Sequence, residues 1–367
     1  MGPSSSDGYA DQQSGAFLKG RSAVRPRDAH LTCVWGCIEF ETLRNEWSQM
    51  PAAVQVSAAE RVVFDADVFA HLGQIALGIG NNPDAHATGV GLGARSIEVK
   101  RNVFFDLAGG AILAGGISRD AHHPSTPAMA NRDVVITNNR IETVSQVYMD
   151  NSAILSTYVA GALILHNEIS DAPYDGIDIG WGWGVNDPGG NPVYNDARRG
   201  YYDHPQNRVY ETPTQHHGVF VAYNDIHHIK QRFHDGGAIY NLSASRDTVI
   251  AGNYIHDIPE RIALYLDEGS RYLTLRDNVI DGAGTWLNIN TLDDYWPLRV
   301  TTDNQAFGNW YTAAKVRGSW DEYHDNLERD NRLLKPGAWP AAAKQIVERA
   351  GIQKGVEIAK YVPANSN

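Results

Sequence analysis

A chain of 367 residues is long enough to bury a large core, as two ordinary domains or one elongated one. With 31 Lys plus Arg against 43 Asp plus Glu, its formal charge of −12 argues against nucleic acid or an anionic membrane surface as the main partner, and neutral or cationic ligands fit better. No run approaches the roughly 18 apolar residues of a membrane helix, and residues 1 to 30 lack the apolar stretch of a signal peptide, so the chain is expected to be soluble.

Residues 1 to 30 are polar, rich in glycine and serine at first, and without clear period; they are expected to be a tail or the remnant of something longer. Cys33 and Cys37 follow in "CVWGC", with no second pair to complete a zinc site, which leaves one local disulfide or two buried thiols. From there a repeat sets in. "IEVKRNVFFDL", "VVITNNRIETV", "LILHNEISDA", "VFVAYNDIHHI", "TVIAGNYIHDI" and "LTLRDNVIDGA" share Asn, any residue, then Ile or Phe. Their asparagines, Asn102, Asn139, Asn167, Asn224, Asn253 and Asn278, are 37, 28, 57, 29 and 25 residues apart, and Asp67 holds the same place 35 before Asn102. Between them lies a second apolar strand, usually after glycine: "GGAILAGG", "NSAILSTY", "DGIDIGWG", "GGAIYNL", "IALYLDEG".

Coils of this length with strand periodicity and few helix formers predict an all-β fold, a right-handed parallel β-helix burying Ile, Val and Leu between stacked coils about 4.8 Å apart. It is expected to be continuous from about 34 to 300, within a catalytic domain of 31 to 305. The asparagines are expected at equivalent bends, where they tolerate the left-handed conformation and bond from coil to coil. The 57-residue step contains a polar, aromatic loop at 185 to 217, a place where a rigid scaffold carries function. The segment 306 to 367 reads as a capping element, with a short helix near 339 to 350 packed on the last coils or over the open end.

"PAAVQVS", "FAHLGQIALGIG", "ISDAPYDGIDIGWGWG", "FHDGGAIYNL", "ALYLDEGS" and a closing "WP…AG" helix, over roughly 38 to 352, resemble the β-helix glycoside hydrolases, and among them glycoside hydrolase family 141. The resemblance implies α-L-fucosidase or xylanase activity, an oligosaccharide or polysaccharide partner, a secreted or periplasmic address, and Asp235 and Asp267 as the carboxylate pair. Members usually carry more chain before the first coil, often with an inserted β-domain.

The residues can be read for chemistry on their own. Glycosidic cleavage needs two carboxyl groups flanking the bond and aromatic surfaces to hold the sugar. Strand alternation sends Tyr265 and Asp267 out of the core, and aligning Ile239 with Leu264 puts Tyr240 beside Tyr265, as a sugar platform or an aromatic ladder. Asp178 falls outward at the level of the two tyrosines. Fully extended chain would put Asp235 about 23 Å from Asp267, so the two meet only if Gly236 and Gly237 turn the chain back; Asp178 is the reserve partner. Glu268 is expected to raise the pKa of one member by like-charge repulsion. Trp181 and Trp183 alternate with glycines and are expected to project exposed from one face of an extended segment, with buried packing as the alternative. Tyr174, His216 and His234 complete the expected substrate-binding set.

The histidines show no metal-ligand spacing on one element, so neither metal nor cofactor is expected. Two readings from other classes remain: a β-helix polysaccharide lyase, which wants a Lys or Arg base and a calcium, and a non-catalytic carbohydrate-binding solenoid.

Overall fold

The computed structural model describes residues 16–18, 47–81, 92–117, 119–188, 210–291, 300–313, 316–318 and 320–361. Cys33 and Cys37 lie outside them, as does 189–209 of the long loop. Among the described residues three parallel sheets of nine strands each stack into a right-handed β-helix. Each coil contributes one strand to each sheet in turn. One coil runs Ile239–Leu242, Ala244–Ala251 and Tyr254–His256, and the next Ile262–Leu266, Arg271–Arg276 and Val279–Asp281. The first described coil opens at Ala52–Val56 and the ninth closes at Arg332–Leu333, so coils continue some thirty residues past the expected end. Before the first coil, Ala16–Leu18 pairs antiparallel with Trp47–Gln49, inside what the sequence suggests is a tail.

The interior follows the β-branched and leucine periodicity. Ile177, Ile239 and Leu264 from the first sheet, Val221, Ile250 and Leu275 from the second, and Ile226, Ile255 and Ile280 from the third meet in one buried cluster. Registers are strict: Ile177 faces Ile239, and Ile239 faces Leu264. A one-residue slip would turn every one of these side chains outward, so the pattern fixes the pairing.

The asparagines form one unbroken ladder, buried except at its last member. The backbone N–H and side-chain amide of Asn102 both donate to Asn139 Oδ1, and the same pair of bonds repeats through Asn167, Asn224, Asn253, Asn278 and Asn309 to Asn331. Asp67 joins it through its backbone N–H, which donates to Asn102 Oδ1. The left-handed residue, however, is the one before each asparagine: Arg101 at φ 60°, Asn138 at 56°, His166 at 55°, Tyr223 at 56°, Asp277 at 56°. That residue turns the corner with its side chain outward, and the asparagine then points into the stack, where its amide satisfies backbone groups the bend leaves unpaired.

The C-terminal segment runs along the side of the coils rather than over their end. The helix Ala341–Arg349 buries only Ala343. Beyond it, Gly351 N–H donates to Tyr223 O, Gln353 N–H to Asn138 Oδ1, Ala359 N–H to Arg101 O, and Tyr361 pairs with His71. The tail thus follows the row of left-handed corners back toward the first coil, while Leu327 and Leu333 on the last coil stay exposed. No helix among the described residues is long and apolar enough to cross a membrane, which says nothing of a β-barrel.

Candidate functional site

The outer face of the first sheet is covered, and this sets the site. In register across successive coils it presents Leu113, Leu155, Asp178, Tyr240 and Tyr265. Over the earlier coils lies a second apolar cluster of Met50, Leu113, Ile117, Leu155, Tyr158 and Trp181; over the later ones, Trp183, Val185, Leu242 and Ile262 pack against Tyr240 and Tyr265. Trp181 is 0% exposed and Trp183 5%, so neither is the open sugar platform expected from "GWGWG". Gly180, Gly182 and Gly184 take φ of 80°, 96° and 78°, folding the segment back on the sheet, with the two indoles edge to face at 5.8 Å. Glycines leave that reversal open at little steric cost, whereas the expectation assumed extended chain.

Asp267 sits where this cover ends. It is 6% exposed; Tyr240 donates its hydroxyl to Oδ2 and Asn290 its amide to Oδ1 at 2.8 Å. Burial pushes its carboxyl up from the usual range, the negative charge of Asp235 pushes the same way, and the bonds from Tyr240 and Asn290 pull back. The like charge acting most on Asp267 is therefore that of Asp235, not of its chain neighbour Glu268, whose backbone N–H instead helps to lower it. Glu268 is itself buried at 6% exposure. Tyr240 and Tyr265 stand edge to face at 5.2 Å, both buried, and hold the carboxyl with their hydroxyl ends rather than offering flat faces to a sugar.

Asp235, whose charge acts on this carboxyl, is carried on a turn. Gly236 has φ 84°, and a Cβ on it would lie 2.2 Å from Asp175 Oδ2; a Cβ on Gly237 would meet Tyr265 Cβ at 3.0 Å. Both positions need glycine, and Gly237 N–H donates to Asp175 Oδ2 at 2.9 Å. Asp235 itself is exposed, with Oδ1 accepting from Gly236 N–H at 3.0 Å.

Beneath the turn lies an ion pair the sequence reading did not anticipate. Lys230 Nζ is 2.6 Å from Asp175 Oδ1 and also donates to Asp235 O at 2.6 Å, with both ionic side chains fully buried. Lys230 lies 4.9 Å from the centroid of the buried Tyr174 ring, which meets Phe233 edge on. Asp178 is 0% exposed; burial first, then the charge of Asp175, hold its carboxyl well above the carboxylate range, and it hydrogen-bonds to Asp175 and Ser152. Asp178 is thus fully buried beside Asp175, which removes it from direct contact with a substrate. The signal for Asp175 was present: "DG" stands two residues before inward-facing Ile177 as "DGGA" stands before Ile239, and Asp175 lies level with Gly237.

The remaining residues scatter. His234 is exposed, with Nδ1 2.6 Å from Arg261 Nη1, and Arg261 Nε donates to Lys230 O, so both lie at the rim of the Asp235 turn. His216 is buried at the entry to the second sheet, bonded to Ser245 Oγ at 2.9 Å, its pKa pushed down to about 4 by burial; it belongs to that corner and not to the carboxylates. The described ends of the long loop are tied down: Asp187 accepts from Thr214 N–H and Ala244 N–H, and Gln215 donates to Ala121 O and Tyr158 O. A separate open recess lies on the second sheet, lined by Arg246, Val249, Tyr272 and Thr274, but it holds no pair of carboxyl groups.

The fold recurs among solved structures. A protein titled "Glycoside hydrolase" superposes with a TM-score of 0.55 at 23% identity, over 83% of this chain and 40% of that one. This chain therefore spans less than half of that protein's length, and the likeness shows the fold alone. A pectate lyase from Acidovorax avenae subsp citrulli aligns over 92% of this chain and 71% of that one, with a TM-score of 0.34 and 13% identity, a level at which shape decides nothing further. No family model and no curated protein matches the chain.

Proposed function

We propose that this protein is a glycoside hydrolase in which Asp267 is the general acid and Asp235 the base or nucleophile, acting on an oligosaccharide or polysaccharide. The observation that carries the reading is the asymmetry of the pair: a buried carboxyl whose pKa its surroundings push up, and an exposed carboxylate whose charge is the largest acting on it. Environments that push two carboxyl groups apart are how an acid and a base coexist near neutral pH. The fold-level likeness to a protein titled as a glycoside hydrolase supports this as analogy. α-L-fucosides and xylosides are the first substrates to try, on the resemblance of "PYDGIDIGWGWG" and "YLDEGS".

The lyase reading meets an obstacle in the bases at the turn: Lys230 is fully buried and committed to Asp175 and Asp235 O, and Arg261 at the rim is engaged by His234 and Lys230 O. A non-catalytic binding solenoid would not need a raised carboxyl beside an exposed one. The test is a panel of aryl glycosides and polysaccharides, read both for released sugar and for ultraviolet absorbance of unsaturated products. Released sugar without that absorbance supports hydrolysis; the absorbance supports elimination; binding without turnover supports the solenoid. Product stereochemistry then reports the carboxyl separation, retention for about 5 to 5.5 Å and inversion for about 6.5 to 9.5 Å.

A further inference from the structure

A second cluster lies on the outer face of the third sheet, a different face from the carboxylate site. Strand Asp225–His227 pairs with strand Tyr254–His256, placing His227 directly beside His256 and Asp225 two residues back on the same face. One ligand atom from each of Asp225, His227 and His256 lies within 4.8 Å of the others, the only such group of three among the described residues. The two imidazoles stack at 4.8 Å with 23° between their planes, and His256 Nε2 is 3.0 Å from Asp225 Oδ1. The three are half-buried, so an ion could enter from solvent.

The groups behind them are arranged as metal-binding histidines require. His256 Nδ1 is 2.7 Å from Asp257 Oδ2, and His227 Nδ1 is 2.7 Å from His228 Nδ1. Asp257 holds His256 through Nδ1 and so turns its Nε2 toward Asp225, the carboxylate–histidine–metal pattern, while the contact with His228, which either ring can donate, orients the His227 ring through Nδ1. Tyr254 stacks on His256 at 4.2 Å, and Gly351 of the tail passes beside Asp225, closing the flanks. Neighbouring acids on this face are otherwise engaged: Glu168 by Arg140 and Asp281 by Thr312.

We propose that Asp225, His227 and His256 bind one divalent transition ion, zinc by preference, in a site with two nitrogen ligands, one carboxylate oxygen and an open position for water. Two imidazoles and a carboxylate suit zinc, copper or nickel far better than magnesium or calcium, which take all-oxygen sets. The ion would clip two successive coils together at the point where the C-terminal tail leaves its helix. Sequence spacing hides such a site because the ligands come from strands 29 residues apart.

The test is titration of the chelator-treated full chain with zinc chloride, by calorimetry and by competition with a zinc-sensitive dye. The expected result is one zinc per chain, a melting temperature that rises with zinc and not with magnesium, and at least a hundredfold loss of affinity in both His227→Ala and His256→Ala. Asp257→Asn should weaken binding about 10- to 100-fold without abolishing it, because it orients His256 rather than ligating. His71→Ala, at an exposed His–Asp pair elsewhere, should leave binding unchanged. Asp225→Asn, which preserves shape, keeps the test informative should an alanine variant fold poorly, and cobalt should give visible ligand-field bands that vanish in it. Zinc binding of wild-type affinity and stoichiometry in both histidine variants, or no binding by the wild type at millimolar zinc, would overturn the proposal.

Discussion

Asp267 shows how one side chain's chemistry is composed from its contacts. Burial and Asp235 raise its pKa; Tyr240 and Asn290 lower it by bonding to the charged form. If it is the acid, activity is lost as pH rises through its pKa. Tyr240→Phe removes a stabiliser of the charged form, so the basic limb of the pH–rate profile should move up, by on the order of one unit. A limb that moved down, or did not move, would separate Asp267 from the titrating acid. Asp150 offers an independent check on stability. It is fully buried, and burial pushes its pKa up to about 8. The native state thus holds a proton that the unfolded state gives up above the ordinary carboxylate range, so this group makes stability fall with rising pH, by up to about 1.4 kcal/mol per unit between pH 4 and 8. Asp150→Asn should flatten that slope in denaturant titrations at pH 5 and pH 7; an unchanged slope would assign it to other buried acids. Residue-level legibility was uneven. Asp267 and its facing tyrosines follow from strand alternation alone, and Gly236 signalled its turn. Lys230 gave no signal, because a lysine at a corner ordinarily faces water and only the fold pairs it with Asp175.

At the scale of elements the asparagine ladder and the tryptophan turn make opposite points. The ladder was readable because every coil repeats it at a fixed place relative to an inward isoleucine. Its mechanism was misplaced by one residue, since the left-handed corner precedes the asparagine. Asn224 accepts two bonds from Asn167 and donates to Ile164 O and Asn253 Oδ1. Asn224→Ala should therefore strand buried backbone groups and cost about 3 kcal/mol or more, whereas Asn331→Ala, at the half-exposed end of the ladder, should cost about 1 kcal/mol; equal losses by chemical denaturation would contradict a role set by burial. Trp181 was misread because the φ of its flanking glycines is invisible in sequence. Being fully buried among Leu113, Leu155 and Tyr158, it should cost about 3 to 5 kcal/mol as Trp181→Ala. A variant with native stability and weakened ligand binding would restore the exposed reading.

On the scale of the whole molecule, the β-helix brings residues dozens of positions apart into contact by stacking coils, which explains both its legible and its hidden features. Anything repeated per coil could be read: the period, the inward rows, the level of Asp178 with Tyr240 and Tyr265. Anything that depends on what two unlike coils bring together could not: the Asp175–Lys230 pair 55 residues apart, the His227–His256 stack, the tail lying along the corners instead of over the end. The central claim, that Asp235 and Asp267 are the working pair with Asp178 as buried support, is tested most directly by turnover of a responsive aryl glycoside in three folded variants. Asp235→Asn and Asp267→Asn should each lose three or more orders of magnitude in kcat/KM with melting temperatures near wild type, and Asp178→Asn should keep far more activity than either. An active Asp235→Asn beside an inactive, well-folded Asp178→Asn would contradict the account.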